Sequence, residues 1–260
     1  MQEENHDAEA IMITAQQWNQ SSPRQPRVTD TFDGEIVDLI DTYAAANPVA
    51  QAFLVKQKPD WVLPPHFHDE HQFQVIMSGS GTVGRHAIAP LHVHYAAPET
   101  GYGPITAGPD GLSYLTLRAS GDTGAWYLHK PGSRERMRRE LKREQHYGAP
   151  SAVIGAAVLA SLHEVAVEDL ITPRADGLAA HFMRLPPGQS TTLPAAHPHG
   201  GRFYVVTAGV MQHADAPLCA PAVLFASADE VLTVRAGNQG LEVLVLQFPH
   251  GASAPQRSVS

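Results

Sequence analysis

An internal repeat constrains the fold of this chain more than any other feature of its sequence. An H-x-H pair at 66–68 precedes a predicted strand ending at Gly79, and a second H-x-H pair at 197–199 precedes one ending at Gly209. The two pairs begin 131 residues apart, and the Gly-Leu steps at 111 and 240 that open a later strand lie 129 residues apart. Nearly equal offsets indicate a duplication, so we predict two domains of the same architecture.

Each half consists of short β-type runs. In the first half, runs at 52–56, 72–77, 92–96 and 112–117 are rich in apolar and β-branched residues, and Gly- and Pro-containing turns separate them. This pattern is typical of a β-barrel or a β-sandwich. Residues 1–34 are polar and interrupted by prolines, and they predict an N-terminal extension that is partly ordered and carries no chemistry of its own.

A helix is predicted between the two halves. Residues 133–147 are strong helix formers, with Ser133 available as N-cap and Gly148 and Pro150 as stop signals. Acidic residues interleave with its six basic side chains and the apolar stripe is thin, which favours a solvated linker helix over a nucleic-acid-binding one. The small apolar stretch 151–162 fits either a second helix or a strand.

Charge and cysteine content narrow the functional classes. The 260 residues carry a formal net charge of −8, which argues against binding nucleic acid or an anionic membrane and favours a small-molecule partner. Cys219 is the single cysteine, which excludes an intrachain disulfide and a thiolate zinc site within one chain. No apolar run is long enough to cross a bilayer and the start lacks a basic signal-peptide region, so we expect a cytoplasmic protein.

The first histidine pair is a candidate metal site. Residues two apart on a strand face the same side, so His66 and His68 can both point inward, and Gln72 shares their parity. The pair, with three residues to Gln72 and six more to Gly79, resembles the first motif of the cupin superfamily, G-x5-H-x-H-x3,4-E-x6-G. Gln72 stands where that family usually has its glutamate. The resemblance extends over both β-rich halves.

The resemblance implies an all-β-dominated fold with two cupin-type β-barrels (double-stranded β-helix or jelly roll) joined by the helical linker. The corresponding division is an N-terminal extension at 1–34, an N-terminal barrel at 35–130, a linker at 131–162 and a C-terminal barrel at 163–260. Cupins commonly pair barrels through strand edges, so the resemblance also implies a homo-oligomer as an expectation, although no sequence feature singles it out.

A cupin of the familiar kind holds iron, manganese, zinc, nickel or copper through three histidines and a glutamate. By resemblance, one such divalent transition metal in the N-terminal barrel would take His66, His68 and Gln72 as ligands.

Gly103 stands where the third histidine is expected. His92 and His94 share parity on a predicted strand, and either could reach inward as a replacement, with His94 taken as the candidate and His71 or His86 as less natural choices.

The second histidine pair predicts a different site. His197 and His199 match the pair, but Arg202 takes the glutamate position, and a cation there opposes metal binding. The C-terminal barrel is therefore interpreted as metal-free. These three residues are either hydrogen-bonded lining or a substrate-binding set for a carboxylate or phosphate, because arginine presents a bidentate fork to such anions.

Two functional hypotheses remain open. The first is a metal-dependent enzyme acting on a small polar or aromatic metabolite by oxidoreductase or dioxygenase chemistry in the N-terminal barrel. Tyr102 is its candidate catalytic residue, since it lies beside the missing ligand and a phenol can orient a substrate or donate a proton. The second is a metal-free, ligand-binding or sensory bicupin. It is favoured by the loss, in both halves, of the histidine of the family's second motif, whose positions are Gly103 and Thr233 here. A shared fold does not choose between them.

Overall fold

Nearly all regular structure in the chain is β and is arranged in two large antiparallel sheets. A computed structural model describes residues 13–40, 50–122, 124–193, 199–213, 216–228 and 230–252. The first sheet contains β2 (Gln25–Val28), β3 (Asp33–Ile40), β4 (Gln51–Gln57), β5 (Val62–Leu63), β7 (Gln72–Val83), β8 (His86–Ile88), β9 (Val93–Ala96), β10 (Ile105–Arg118) and β12 (Gln145–Gly148). The second contains β1 (Ile13–Gln17), β13 (Ala166–Ile171), β14 (Ala179–Leu185), β15 (Ser190–Thr192), β16 (His199–Gln212), β17 (Leu218–Cys219), β18 (Ala222–Ala226) and β19 (Thr233–Pro249). The remaining elements are β6 (His66–Phe67), which pairs with β11 (Trp126–Tyr127), and the short helix α1 (Ala156–Ala160).

The two sheets repeat one strand arrangement. The first runs β12-β9-β7-β10-β4-β3-β2, and the second runs β1-β18-β16-β19-β14-β13. In the central pair of the first sheet Gly79 lies opposite Leu112, and in that of the second Gly209 lies opposite Leu241. The sequence repeat is therefore a repeat of strand order and register.

The repeated glycines mark the closest approach of the central strands. Gly79 has a φ of +77° and Gly209 a φ of +74°, which is the left-handed region that side chains rarely adopt. A Cβ atom would lie 2.1 Å from the Gly111 carbonyl oxygen at the first position and 2.1 Å from the Gly240 carbonyl oxygen at the second. A larger residue at either position would force the paired strands apart.

Alternate residues of the central strands face different cores. Phe73 and Val75 of β7 and Phe203 and Val205 of β16 belong to one apolar core that lies between the two halves. Phe73 and Phe248, one from each half, have ring centroids 5.0 Å apart. Residues of the other parity face the interior of each half: Ile76 and Tyr114 in the first, Tyr204 and Val206 in the second. The halves therefore share a core as well as having cores of their own.

Truncating this shared core is expected to destabilise the whole molecule. Phe73 is fully buried, so we expect Phe73→Ala to lower the free energy of unfolding by about 3–5 kcal/mol in urea denaturation. Val62→Ala, at a position 49% exposed, is the control and should change it by less than about 0.5 kcal/mol. A biphasic transition in which one phase keeps its midpoint would contradict coupling through this core.

The predicted linker helix at 133–147 is wrong. The chain runs through a series of turns over 131–140 and then enters β12, which pairs with β9. The basic side chains are exposed, as predicted, but some of these residues also contact the first half. The backbone N and the side-chain Nε of Arg138 each donate to the buried Glu99 carboxylate at 2.5 Å, and Arg136 stacks on Trp126. These tertiary contacts outweigh helix propensity, which is a weak preference for each residue.

The remaining sequence predictions about the fold are met in part. The stretch 151–162, left open between helix and strand, contains the five-residue helix α1. Within the described part of the chain no helix is long and apolar enough to cross a bilayer. The predicted all-β architecture is present, but the pairings among described strands form sheets with two edges and do not close a barrel.

The predicted extension is part of both sheets. Residues 1–12 lie outside the described residues. From residue 13 onward, β1 pairs with β18 in the second sheet, whereas β2 and β3 join the first. Trp18, between them, is 8% exposed and lies in the shared core. The extension therefore connects the two halves, and the domain boundaries given above stay a prediction.

Candidate ligand-binding pocket

The first half encloses a cavity of about 250 Å³. The apolar part of its lining is largely aromatic, with Phe32, Phe53, Tyr114 and Tyr127. The polar part contains His66, His68, Gln72, Tyr102, Arg118 and Asp122. It adjoins the aromatic part, since Arg118 lies over the Phe53 ring and the centroid of the His66 ring is 5.7 Å from that of Tyr127. The structure thus brings together in the polar part of the lining four residues that the sequence predicted for this site, namely two histidines, Gln72 and Tyr102.

His66 is held as a neutral hydrogen-bond acceptor. Its Nδ1 lies 2.8 Å from the carbonyl oxygen of Pro64, which can only accept, so Nδ1 carries the proton. Its Nε2 then accepts from the Tyr102 hydroxyl at 3.0 Å, and Tyr102 in turn accepts from Gln72 Nε2 at 2.7 Å. Burial, reinforced by His68, lowers the pKa of His66 to about 3, and burial raises the pKa of Tyr102. Both side chains are therefore neutral at pH 7.

A guanidinium lies in the polar part of the cavity lining. Arg118, at the end of β10, donates to Gln72 Oε1 from Nε at 3.0 Å and from Nη2 at 2.7 Å. Its Nη1 donates to Gln51 Oε1 at 3.1 Å and lies 3.3 Å from Asp122 Oδ2. The side chains of Arg118 and Asp122 are 4% and 0% exposed. This is a buried ion pair whose partners also have neutral hydrogen bonds, the condition under which such pairs persist.

His68 joins this ion pair. Its Nδ1 lies 2.7 Å from Asp122 Oδ2 and donates to it, which leaves Nε2 as the unprotonated nitrogen. Arg118 Nη2 lies 3.0 Å from Nδ1 and 3.4 Å from Nε2, and such similar distances place it against the ring face. Burial and the Arg118 charge lower the pKa of His68. Although burial raises the pKa of the Asp122 carboxyl, Arg118 and His68 outweigh it and hold that pKa well below its usual range.

His94 is directed away from the other predicted ligands. Its Nδ1 lies 2.8 Å from Gln74 Oε1 and its Nε2 lies 3.2 Å from Gln145 Oε1 on β12. A neutral imidazole donates through one nitrogen only, and the shorter contact assigns the proton to Nδ1. Burial lowers its pKa to about 4. The Tyr102 ring stands beside it, with centroids 5.0 Å apart. His94 therefore positions Gln74, which lines the cavity, and does not line the cavity itself.

The side chains of this pocket do not fit a cupin metal. Gln72, the candidate oxygen ligand, has its oxygen bound by the Arg118 guanidinium, and the lone pair of His66 Nε2 is taken by Tyr102. No group of three or more His, Cys, Asp or Glu side chains arranged to hold a metal occurs among the described residues. A metal ion at this position would also meet the positive charge of Arg118 at close range.

The segment predicted as an extension contributes to the lining of the cavity. Arg27 and residues 29–32 are among its lining residues. Asp30 in this segment forms an ion pair with Lys130, with 2.9 Å between the carboxylate and Nζ. Both side chains are exposed, so this ion pair contributes little to stability.

The second half repeats the polar pair with its two members exchanged. His197 lies outside the described residues, whereas His199 and Arg202 are buried on β16. Arg202 Nε donates to Gln247 Oε1 at 2.8 Å across the β16–β19 pair. In the first half the amide, Gln72, is on the earlier strand and Arg118 is on the later one. Each half thus holds a buried arginine–glutamine pair that joins its two central strands.

Sequence reasoning missed Arg118 and Asp122. Arg118 has the parity of Leu112 and Tyr114, which face the interior, but the strand was predicted to end at residue 117. The repeat offset contained a usable signal, because position 118 maps onto Gln247 and position 72 onto Arg202. Each half therefore has one arginine and one glutamine at these two positions, but in opposite order, which indicates that the two side chains were exchanged.

Comparison with known proteins bears on the fold. No protein-family model and no curated protein sequence matches this chain. A "putative dioxygenase" from Nostoc punctiforme PCC 73102 has a TM-score of 0.56 at 11% identity, covering 95% of this chain and 85% of that one. Oxalate decarboxylase from Lactobacillus farciminis, in a formate complex, gives 0.54 at 16% identity, covering 88% and 85%. Pumpkin seed globulin gives 0.54 at 12% identity, covering 87% and 84%. This chain has the bicupin fold.

The activities of these neighbours do not transfer to this chain. They include an oxalate decarboxylase and a seed globulin, so likeness of fold alone does not indicate an activity.

Proposed function

We propose that this bicupin binds a compact, uncharged small molecule in the N-terminal cavity without using a metal. The observation that carries the proposal is the buried Arg118–Asp122 pair in the polar part of its lining. The two charges neutralise each other, and His66, His68 and Tyr102 are neutral beside them. A cavity with no net charge and an aromatic wall favours an uncharged ligand with an apolar body.

Two polar atoms of the cavity are available to such a ligand. Gln74 Oε1 accepts from His94, and Gln74 Nε2 has no hydrogen bond to a described residue, so it is a donor for the ligand. His68 Nε2 is an acceptor because Nδ1 donates to Asp122, and it faces the ligand beside Arg118 Nη2, which lies 3.4 Å from it. The ligand should therefore present one acceptor and one donor on a flat body. A cavity of about 250 Å³ lies below the range of about 300–1,000 Å³ found for drug-sized ligands, so the ligand is small.

Benzamide is the probe for this proposal, because it has an aromatic body, a carbonyl acceptor and an N–H donor. We expect saturation-transfer NMR to detect its binding to the full chain and to detect weaker binding of toluene, which lacks both polar groups. Thr116→Phe, at a buried position lining the cavity, should abolish the benzamide signal. Thr192→Phe, exposed in the other half, should leave it unchanged. Equal signals from wild type and Thr116→Phe would rule out the cavity as the binding site.

A metal-dependent oxidoreductase or dioxygenase is the alternative function. The observation that favours it is the adjacency of His66 and His68, whose ring centroids are 5.3 Å apart. It requires Arg118 to leave the position described here, whereas the metal-free proposal requires no rearrangement.

Metal content separates these two functions. We expect wild-type protein, purified without a metal-affinity column, to hold far less than one transition-metal ion per chain. We expect the double variant Gln72→Glu/Arg118→Ala to bind Zn²⁺, because it removes the cation and supplies a carboxylate beside two imidazoles. Arg118→Ala alone is the matched control and should bind more weakly. One ion per wild-type chain that disappears in His66→Ala/His68→Ala would overturn the metal-free proposal.

A further inference from the structure

The second half contains a buried cation without a counter-charge. Arg202 is 2% exposed, and among the described residues no carboxylate forms an ion pair with it. In the first half, the Asp122 carboxylate balances the charge of the equivalent arginine, Arg118. Position 122 corresponds by the repeat offset to Gly251, so the second copy lacks the carboxylate. An uncompensated buried charge is costly, which indicates that something else supplies the negative charge.

Two buried donors on β16 lack acceptors of good geometry. Arg202 donates through Nε to Gln247 and through Nη1 to the Leu193 carbonyl oxygen at 2.9 Å. Its Nη2 and the hydroxyl of Tyr204, two residues along the same face of β16, have no hydrogen-bond partner of good geometry in the described part of the chain. The two groups lie against each other: the Arg202 guanidinium, through its charge and its contact with the Tyr204 oxygen, opposes the rise in pKa that burial gives Tyr204. Unpaired buried donors are rare and call for an explanation.

We propose that the C-terminal half binds a small monocarboxylate beside Arg202, with Arg202 Nη2 and the Tyr204 hydroxyl donating to its two oxygens. This site is separate from the N-terminal cavity and does not depend on the function proposed for it. The carboxylate of the ligand takes the role that Asp122 has toward Arg118 in the first half.

The charge count selects a carboxylate over a phosphate. One guanidinium balances one negative charge, and two unpaired donors match the two oxygens of a carboxylate. A phosphate near pH 7 brings a second charge and further oxygens, for which the described residues around Arg202 provide neither a second cation nor other unpaired donors.

The test is thermal unfolding of the full chain with sodium acetate as the probe. Sodium chloride at the same ionic strength controls for screening, and acetamide controls for shape without charge. A ligand that binds the folded state raises Tm, so we expect acetate to give a saturable rise that chloride and acetamide do not. Equal shifts with acetate and chloride would overturn the proposal without any variant.

Three substitutions locate the effect. Arg202→Gln should abolish the acetate-dependent rise, whereas Arg235→Gln, an exposed position in the same half, removes the same charge and should retain it. Arg202→Lys keeps the charge but loses the fork, and a several-fold weaker response is expected. An unchanged response in Arg202→Gln would refute the assignment to Arg202. Benzamide binding should be unaffected by Arg202→Gln, so failure of this site and failure of the N-terminal proposal are distinguishable.

Discussion

Arg118→Met is expected to lower the free energy of unfolding by about 3–5 kcal/mol. Methionine fills much of the same space, but it leaves the fully buried Asp122 carboxylate without its cation and leaves Gln72 Oε1 without its two donors. The loss therefore comes mainly from an isolated buried charge and not from a cavity. Urea denaturation followed by tryptophan fluorescence measures it.

A double-mutant cycle separates the ion pair from the rest of the loss. Asp122→Asn keeps the shape of the side chain and removes its charge, so the double variant Arg118→Met/Asp122→Asn should lose less than the sum of the single variants, by about 1–3 kcal/mol. Arg24→Met is the control, because Arg24 and Glu35 form an ion pair with both side chains more than a third exposed, worth at most about 1 kcal/mol. Strict additivity would mean that the two buried charges do not stabilise each other.

Acidification below pH 7 is expected to destabilise the protein steeply. Burial lowers the pKa of His66 to about 3 and those of His71 and His94 to about 4. A histidine in the unfolded chain has a pKa near 6.5, so below that pH the unfolded chain binds protons that the folded chain does not bind. The stabilisation is complete above about pH 6.5 and is lost as the pH falls toward the folded values. Each imidazole should contribute roughly 2 kcal/mol of loss between pH 7 and pH 5.

Urea denaturation at pH 7, 6 and 5 gives the slope of stability against pH. His71→Gln should reduce that slope by nearly one proton, because it removes one buried imidazole. His163→Gln, at an exposed position, should leave the slope as it is. The same free energy of unfolding at pH 7 and pH 5 would show that these imidazoles accept protons in the folded state without cost.

Much of the fold could be predicted because the repeat and the strand alternation act locally. The glycines at 79 and 209 could be recognised as landmarks, and the structure shows that strand contact leaves no room for a Cβ there. The helix at 133–147 could not be judged in the same way. The conformation of this segment depends on Glu99, a buried carboxylate distant in sequence. Glu99 accepts two hydrogen bonds from Arg138 and thereby fixes the segment against the first half. Helix propensity is a property of each residue by itself and takes no account of a distant partner such as Glu99.

The candidate site was predicted in outline and missed in its chemistry. His66, His68, Gln72 and Tyr102 could be placed together from strand parity and from the resemblance. The hydrogen bond from Arg118 to Gln72 could not be predicted from the sequence. It joins β7 to the end of β10, so it depends on strand order and register. Replacement of glutamate by glutamine at position 72 signalled the change, since a neutral amide can accept from a guanidinium where a metal would favour a carboxylate.

The pairing of Ile13–Gln17 with Ala222–Ala226 has a consequence for how the chain is made. During translation the first of these strands leaves the ribosome long before its partner exists, so β1 has an unpaired edge until residues 222–226 have been synthesised. An open edge invites pairing with other chains. A fragment carrying the second half alone would expose β18 in the same way and should aggregate, although most of its own core residues are present.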